Sequence, residues 1–516
     1  MHTFLSPKPH VVLSKSFSTP FQNAIATART CYSAKGIVRD EQITDKHVPL
    51  AQSVYQAGHH TVFSHAYFQF ELANVSRQFL WTFLHSHPFY NSEQVSQRYV
   101  EVKPDTFLIP ALEGEALAIY REAIAFQTAA YFKLNEMLRP SAEAAYFKRF
   151  PARAKVREKY AKEIQKKCQE IARYVLPVAA FSYLYHTVSG ITLLRYYRLC
   201  NQMDTPVEQR VVVEQMVQEM IRLDPMYKAI LEEALPIEET PEYLFYQAHP
   251  DFYDDAGRKA FAVEFDRSLD GRMSKLVDYK INNEAVVAQS VREVLGLTRE
   301  RLSDADAIAL ALDPSKNKLY GESLNLTTMS KITRSLVHAH YTFRKKISHA
   351  ADSQDQRHRM TPGSRPILTA HRLAEPDYIT PALILEDANV HTYYDEVMTR
   401  TWEYIARLRA HHVSDENAMY LLPNAVAIRF TESADLQNLH HKMAMRLCYL
   451  AQEEIWRASV DETQQIQQVN PVIGNLLLPP CGIRLRAGMR PYCPEGDRFC
   501  GERVWTMTLD QYQRVI

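Results

Sequence analysis

Glycine is scarce in this chain, 14 in 516 residues. No GxGxxG or GxxxxGK[ST] run occurs, so the glycine-rich phosphate loops are excluded. Charge of one sign is missing as well, with 60 Lys plus Arg against 60 Asp plus Glu. Such a balance argues against broad attraction to nucleic acid or membrane surfaces. No stretch approaches the roughly 18 apolar residues that mark a membrane span, and the first seven residues lack the charged-then-apolar order of a signal peptide. The seven cysteines form no dense framework, which points to a reducing, cytoplasmic setting. What remains is ordinary globular composition, 46% hydrophobic and 23% charged, in a chain long enough for two domains.

The chain is also written twice. Ala172-Arg173-Tyr174-Val175-Leu176-Pro177 answers Ala418-Met419-Tyr420-Leu421-Leu422-Pro423, and the same register pairs Cys200 with Arg446. Upstream, Ser96-Gln97-Arg98-Tyr99 is matched to Asp355-Gln356-Arg357-His358. These matches divide the chain into a first copy over 1–235, a Pro-containing connector over 236–271, a second copy over 272–469 and an unpaired extension over 470–516. Apolar periodicity predicts helices over 114–140, 160–176, 196–223, 284–295 and 438–457, and a strand-like run over 61–72. Arg173 faces Met419 in this alignment, and Arg446 faces Cys200. Losses that complement each other predict one composite site built from both copies.

Two polar clusters stand out. His85 to Tyr99 combines imidazoles, amides, a hydroxyl and Arg98, a set suited to a phosphorylated heterocycle; a hydrogen-bonded turn is the equal alternative. Arg344-Lys345-Lys346 leads into Arg357-His358-Arg359, a concentration that favours an anionic ligand over the commoner solvated face. In the extension, Cys481, Cys493 and Cys500 could build a structural zinc site with a histidine (His411, His412, His440 or His441), although their spacing is not that of paired CxxC knuckles.

These residues resemble the flavin-dependent thymidylate synthases. That family's signature is Arg-His-Arg, a short spacer, a Glu or Gln two residues before a serine, then x-Arg-Tyr. Gln94-Val95-Ser96-Gln97-Arg98-Tyr99 is similar to its second part. His59-His60-Thr61-Val62-Phe63-Ser64-His65, Val75-Ser76-Arg77 and Ala28-Arg29-Thr30-Cys31-Tyr32-Ser33 also fit. Met445-Arg446, then four intervening residues and Ala451-Gln452-Glu453-Glu454-Ile455, looks like the family's late helix motif. There are departures. Ser86-His87-Pro88 stands at Arg-His-Arg in the first copy, and Arg344-Lys345-Lys346 is read as its basic substitute in the second. The flavin-holding Asn-x-Arg is Ser189 and Ile191, then Asp435 and Gln437.

The resemblance implies an α+β fold of two fused copies, each a small antiparallel sheet with long helices, and a homodimer equivalent to the family's tetramer. It implies FAD, with NADPH and methylenetetrahydrofolate as co-substrates, and one-carbon transfer to a uridine nucleotide such as dUMP. Substrate contacts would fall to Gln94, Ser96, Arg98, Arg173, Arg344 and Arg446, with Arg446 and Ser96 catalytic. His59, Thr61, His87, Arg344, Lys346, Gln437 and His441 would contact the flavin. The partners are therefore small-molecule nucleotides and folates, with no nucleic acid and no membrane. The rival is a non-catalytic nucleotide- or flavin-binding protein with a scaffold or regulatory role.

Overall fold

In the computed structural model, which describes residues 4–252, 254–514 and 516, two four-stranded antiparallel sheets repeat one topology. The first has order β1-β2-β4-β3, with β1 His10–Ser16, β2 Tyr67–Ser76, β3 Tyr90–Gln94 and β4 Phe181–Ser189. The second has order β5-β6-β8-β7, with β5 Ser274–Tyr279, β6 His340–Ser348, β7 Gly363–Ser364 and β8 Ala427–Asp435. The α+β architecture of two fused copies is thus present. Period-two burial builds each central strand: Phe68, Phe70 and Leu72 point inward from β2, and Tyr341, Phe343 and Ile347 from β6.

Each central strand ends in a serine that caps the next helix. Ser76 Oγ accepts from Phe79 N–H and Ser348 Oγ from Ala351 N–H, opening helices Arg77–His85 and His349–Asp355. A buried glutamate grips each serine. Glu208 accepts from Ser76 N–H and Oγ–H at 2.7 and 2.6 Å; Glu454 accepts from Ser348 N–H and Oγ–H at 2.5 and 2.6 Å.

The copies meet around Pro177 and Pro423, which form an antiparallel bridge. Val178 N–H donates to Leu422 O and Ala179 N–H to Tyr420 O; reciprocally, Asn424 N–H donates to Leu176 O and Ala425 N–H to Tyr174 O, all at 2.8–2.9 Å. The side chains follow the same pseudo-two-fold. Tyr174 donates to Glu454 at 2.5 Å, and Tyr420 to Glu208 at 2.7 Å. One hydrophobic core runs through this junction, including Leu176, Val178, Ile347, Leu422 and Ile428.

Several elements differ from the sequence expectation. The first long helix runs over Gly114–Arg149, carrying Pro140 in its interior. Segment 196–223 is two helices, Gly190–Arg198 and Pro206–Leu223, and 438–457 is likewise broken into Leu436–Arg446 and Glu453–Val469. Each break is followed, in the first turn of the next helix, by a buried glutamate, Glu208 or Glu454. The run 61–72 is a short helical turn, His60–Ser64, before β2. The helix Asp255–Ser268 lies against the second sheet, where Asp266 receives Arg429 at 2.8 Å and Lys346 at 2.6 Å.

Burial pushes the carboxyls of Glu208 and Glu454 up to about 7. A carboxyl raised on folding stabilises the fold below its unfolded value near 4.3 and loses that contribution as pH climbs through 7. The stability advantage of wild type over Glu454→Gln is therefore expected to be largest near pH 5 and to shrink by pH 8. Urea unfolding of both proteins across that range checks it; a constant difference refutes it.

Candidate functional site

A cavity of about 1090 Å³ opens between the copies. The first copy contributes the loop Gln94–Tyr99 that follows β3, Arg77 from the capped helix, and Lys166, Glu170 and Arg173 from the helix leading to Pro177. The second copy contributes Gln354 and Arg357, and Gln437, His441 and Arg446 from helix Leu436–Arg446. Pro480, Ile483, Arg484 and Phe499 of the extension complete one wall.

Guanidiniums dominate this cavity, and they are held unequally. Arg98 is paired with Glu170 through Nε and donates to Leu450 O across the copies at 2.9 Å. Arg173 donates from Nε to Glu170 O at 3.1 Å, and its buried Nη2 has no partner among the described residues. Arg77, 7% exposed, donates to Gln94 Oε1 at 3.1 Å and to Val95 O at 2.8 Å, and its Nε is left over. Burial, then the charges of Arg173 and Arg357, bring Arg77 down to about 9. A buried cation with no acid beside it is costly unless an anion arrives. Arg446 donates to His358 Nε2 and to Gln354 O, each at 2.8 Å. Burial lowers it to about 10, which still leaves it charged at neutral pH. His358 is held well below its usual range by burial and by Arg446, so it is neutral and accepts at Nε2.

Gln94 has a defined face. Arg77 can only donate, so the Gln94 oxygen must point at it, and the amide nitrogen remains as the donor toward the cavity.

Gln94, Ser96, Arg98, Arg173, Gln437, His441 and Arg446 all line this one cavity. It excludes others. Arg344 and Lys346 lie on β6 and do not line the cavity: Arg344 sits over the Phe265 ring, and Lys346 is bound to Asp266. His59, Thr61 and His87 belong to the first copy's outer helix–loop region and also lie outside it; His87 packs on Phe89.

The alignment of Ser96 with Asp355 is overturned by register. Ser76 and Ser348 are equivalent caps, which puts Asp355 opposite Phe83 and puts Arg357-His358-Arg359 at the position of His85-Ser86-His87. Further on, Ser92 faces His186 while Gly363 faces Glu432, so the second copy's residues opposite Gln94, Ser96 and Arg98 are Arg365, Ile367 and Thr369. The motif that sequence reasoning assigned to Arg344-Lys345-Lys346 is instead intact at 357–359. Arg357 faces the cavity. Arg359 turns to Asn91 Oδ1 at 3.3 Å and to the Tyr90 ring. At the reciprocal position, Met419 and Cys200 are fully buried.

The sequence model of the thymidylate synthase complementing protein family matches residues 12–226 and 275–472. The chain belongs to that family, in two copies. Relatives include the flavin-dependent thymidylate synthase of Pyrococcus furiosus, 28% identical over 31% of this chain and 68% of that protein. The enzyme of the same name from Clostridium tetani is 26% identical over 44% of this chain and 92% of that protein. A solved UMP/dUMP methylase, PolB from Streptomyces cacaoi, aligns at 19% identity over 43% of this chain and 94% of that one, with a TM-score of 0.32. No helix among the described residues is long and apolar enough to cross a membrane.

Arg357→Ala should weaken binding of FAD at least about tenfold, the ~1.4 kcal/mol of one charged contact. Arg344→Ala should change it less than about twofold, since that side chain lies outside the cavity. Calorimetric titration of the two variants distinguishes these outcomes, and the reverse order would return the motif to 344–346.

Proposed function

We propose that this cavity is a single composite site for flavin-dependent transfer of a one-carbon unit to a uridine nucleotide, dUMP or a close relative. The observation that carries the reading is the convergence of Arg77, Arg98 and Arg173 from one copy with Arg357 and Arg446 from the other around one cavity. Membership of the family and the flavin-dependent relatives support the reaction class. At about 1090 Å³, the cavity slightly exceeds the ~300–1,000 Å³ typical of small-molecule sites, room for two reactants side by side.

The unpartnered Nη2 of Arg173 and Nε of Arg77 would receive the nucleotide phosphate beside Arg98, whose orientation Glu170 fixes. Ser96 and the amide nitrogen of Gln94 would meet the pyrimidine. A fixed donor at Gln94 selects a carbonyl and rejects an amino group, which favours uracil over cytosine. Arg446 would stabilise negative charge developing on the ring, held in place by neutral His358 and Gln354 O. Gln437, Asn438, His441 and Arg357 line the wall on which FAD would lie, and the orphaned amide of Gln354 is a further donor there. Reduced flavin would supply the hydride; methylenetetrahydrofolate would supply the carbon and NADPH the reducing equivalents.

A binding protein without catalysis is favoured by one detail. Asp435, at the family's asparagine position, spends its carboxylate capping its own helix through Asn438 N–H at 3.0 Å and Asn438 Nδ2 at 2.7 Å, and so offers no donor to a flavin.

The deciding experiment is the visible spectrum of the full chain after incubation with FAD and desalting, followed by addition of dUMP. Retained flavin perturbed by dUMP, with dTMP formed on adding the two co-substrates, is expected; no retained flavin favours the binding protein. In either case Gln94→Glu should weaken dUMP binding about tenfold or more and shift preference toward dCMP, because a carboxylate oxygen now faces the base. Unchanged preference would remove Gln94 from the base.

A further inference from the structure

Four of the seven cysteines line one small cavity next to the composite site. Cys448 lies two residues beyond Arg446 and borders both cavities. Cys481 sits in the first turn of helix Pro480–Arg486, and Cys493 and Cys500 flank the turn Gly496–Arg498. Their small cavity, about 20 Å³, is walled by Tyr449, Pro479, Phe499 and Val504.

Lone buried cysteines are common as small apolar side chains. Here the four come from separate segments and all line the same cavity. None is in a disulfide. The histidines considered as a fourth ligand do not line this small cavity: His440 and His441 line the large one, and His411 and His412 follow helix Ala388–Ala410, with His411 beside Glu115.

We propose that Cys448, Cys481, Cys493 and Cys500 form a four-thiolate metal centre that pins the C-terminal extension to the wall of the composite site. The chemistry named is soft thiolate coordination, which zinc and an iron–sulfur cluster share. Among the described residues no three ligating side chains already stand around one point as a cage for an ion. Binding one zinc ion therefore requires the thiols to rotate inward to about 2.3 Å from the metal, whereas a cluster of iron and sulfide spans a wider set. For zinc, each S–H gives up its proton as a Zn–S bond forms, so four protons leave and nothing is oxidised or reduced. For a cluster, the iron and sulfide arrive as such, and the thiols again lose only protons.

The centre would not be the extension's only tether. Arg486 holds Asp313 in a bidentate pair at 2.7 Å, and Arg149 reaches Glu502 at 2.6 Å. Its particular role follows from place. Pro480, Ile483, Arg484 and Phe499 face the large cavity, and the turn bearing Cys448 follows Arg446 directly. Metal binding would thus hold the extension's wall and Arg446 in one arrangement. This proposal does not depend on the reaction assigned to the large cavity.

The test is metal and sulfide analysis of the full chain, produced with zinc and iron supplied and purified without oxygen or chelators. One zinc per chain, or iron with matching sulfide and a visible charge-transfer band, supports the centre. Cys448→Ser and Cys493→Ser should each lose most of that metal while Cys31→Ser, at an exposed position, keeps it. Should the serine variants fail to fold, the wild type still decides: a thiol reagent added to folded protein should release metal in step with modification of these four cysteines. A full chain that binds neither metal, with the four thiols reacting independently, overturns the proposal.

Discussion

The junction at Pro177 and Pro423 is the constraint from which the rest follows. Two strands of backbone exchange four hydrogen bonds there, and each copy sends a tyrosine into the other's buried glutamate. Each glutamate in turn fixes the serine that starts the key helix of its own copy. A buried carboxylate with three donors is strongly directional; losing one donor costs about 1–3 kcal/mol. Helix starts, the late helices and the cross-copy relationship are therefore set by the same pair of acids. Displacing either tyrosine would disturb both copies at once.

Freed from identical duties, the two copies fill one fold position in opposite ways. In the first, Phe83, Tyr90, His186 and Tyr196 pack as rings 4.7–5.9 Å apart, and burial keeps His186 neutral, down at about 3. In the second, the equivalent residues are Asp355, Glu432 and Lys442, joined by Lys345, Arg365 and Glu462 in a buried ion network. Lys345 lies 2.7–3.3 Å from three carboxylates, and Lys442 is 2.6 Å from Asp355. Such a network is specific more than it is stabilising, since desolvation offsets much of the attraction. Its charges are spent on one another.

Much of this was legible in the residues. The tandem repeat, the complementary Arg173 and Arg446, and the loop Gln94–Tyr99 all carry through to one cavity. The error was a register. Gln97-Arg98 and Gln356-Arg357 share two letters, and that coincidence hid an intact Arg-His-Arg at 357–359. The copies are out of step by one residue between the capped helices and the third strands, and only hydrogen-bonded pairing reveals such a slip. Arg344 to Lys346 looked like a ligand-binding run because sequence does not show carboxylates arriving from afar. Asp266 comes from the connector, Glu432 from a distant strand and Glu462 from the late helix. Arg77 drew attention only as part of a motif match; its importance lies in having no acid near it, which no linear pattern records. Cys448 was passed over for the same reason, being far in sequence from the other three.

The covalent continuity of the two copies has a kinetic and thermodynamic consequence. Where such a cavity is assembled from separate subunits, its existence depends on protein concentration, and dilution empties the population of complete sites. Here the halves are joined through an ordered connector whose helix Asp255–Ser268 is itself bound to the second sheet. Closing the Pro177–Pro423 junction is then an intramolecular event, governed by an effective concentration in place of the bulk one. A cell could hold very few copies of this chain and every one of them would still carry a closed junction.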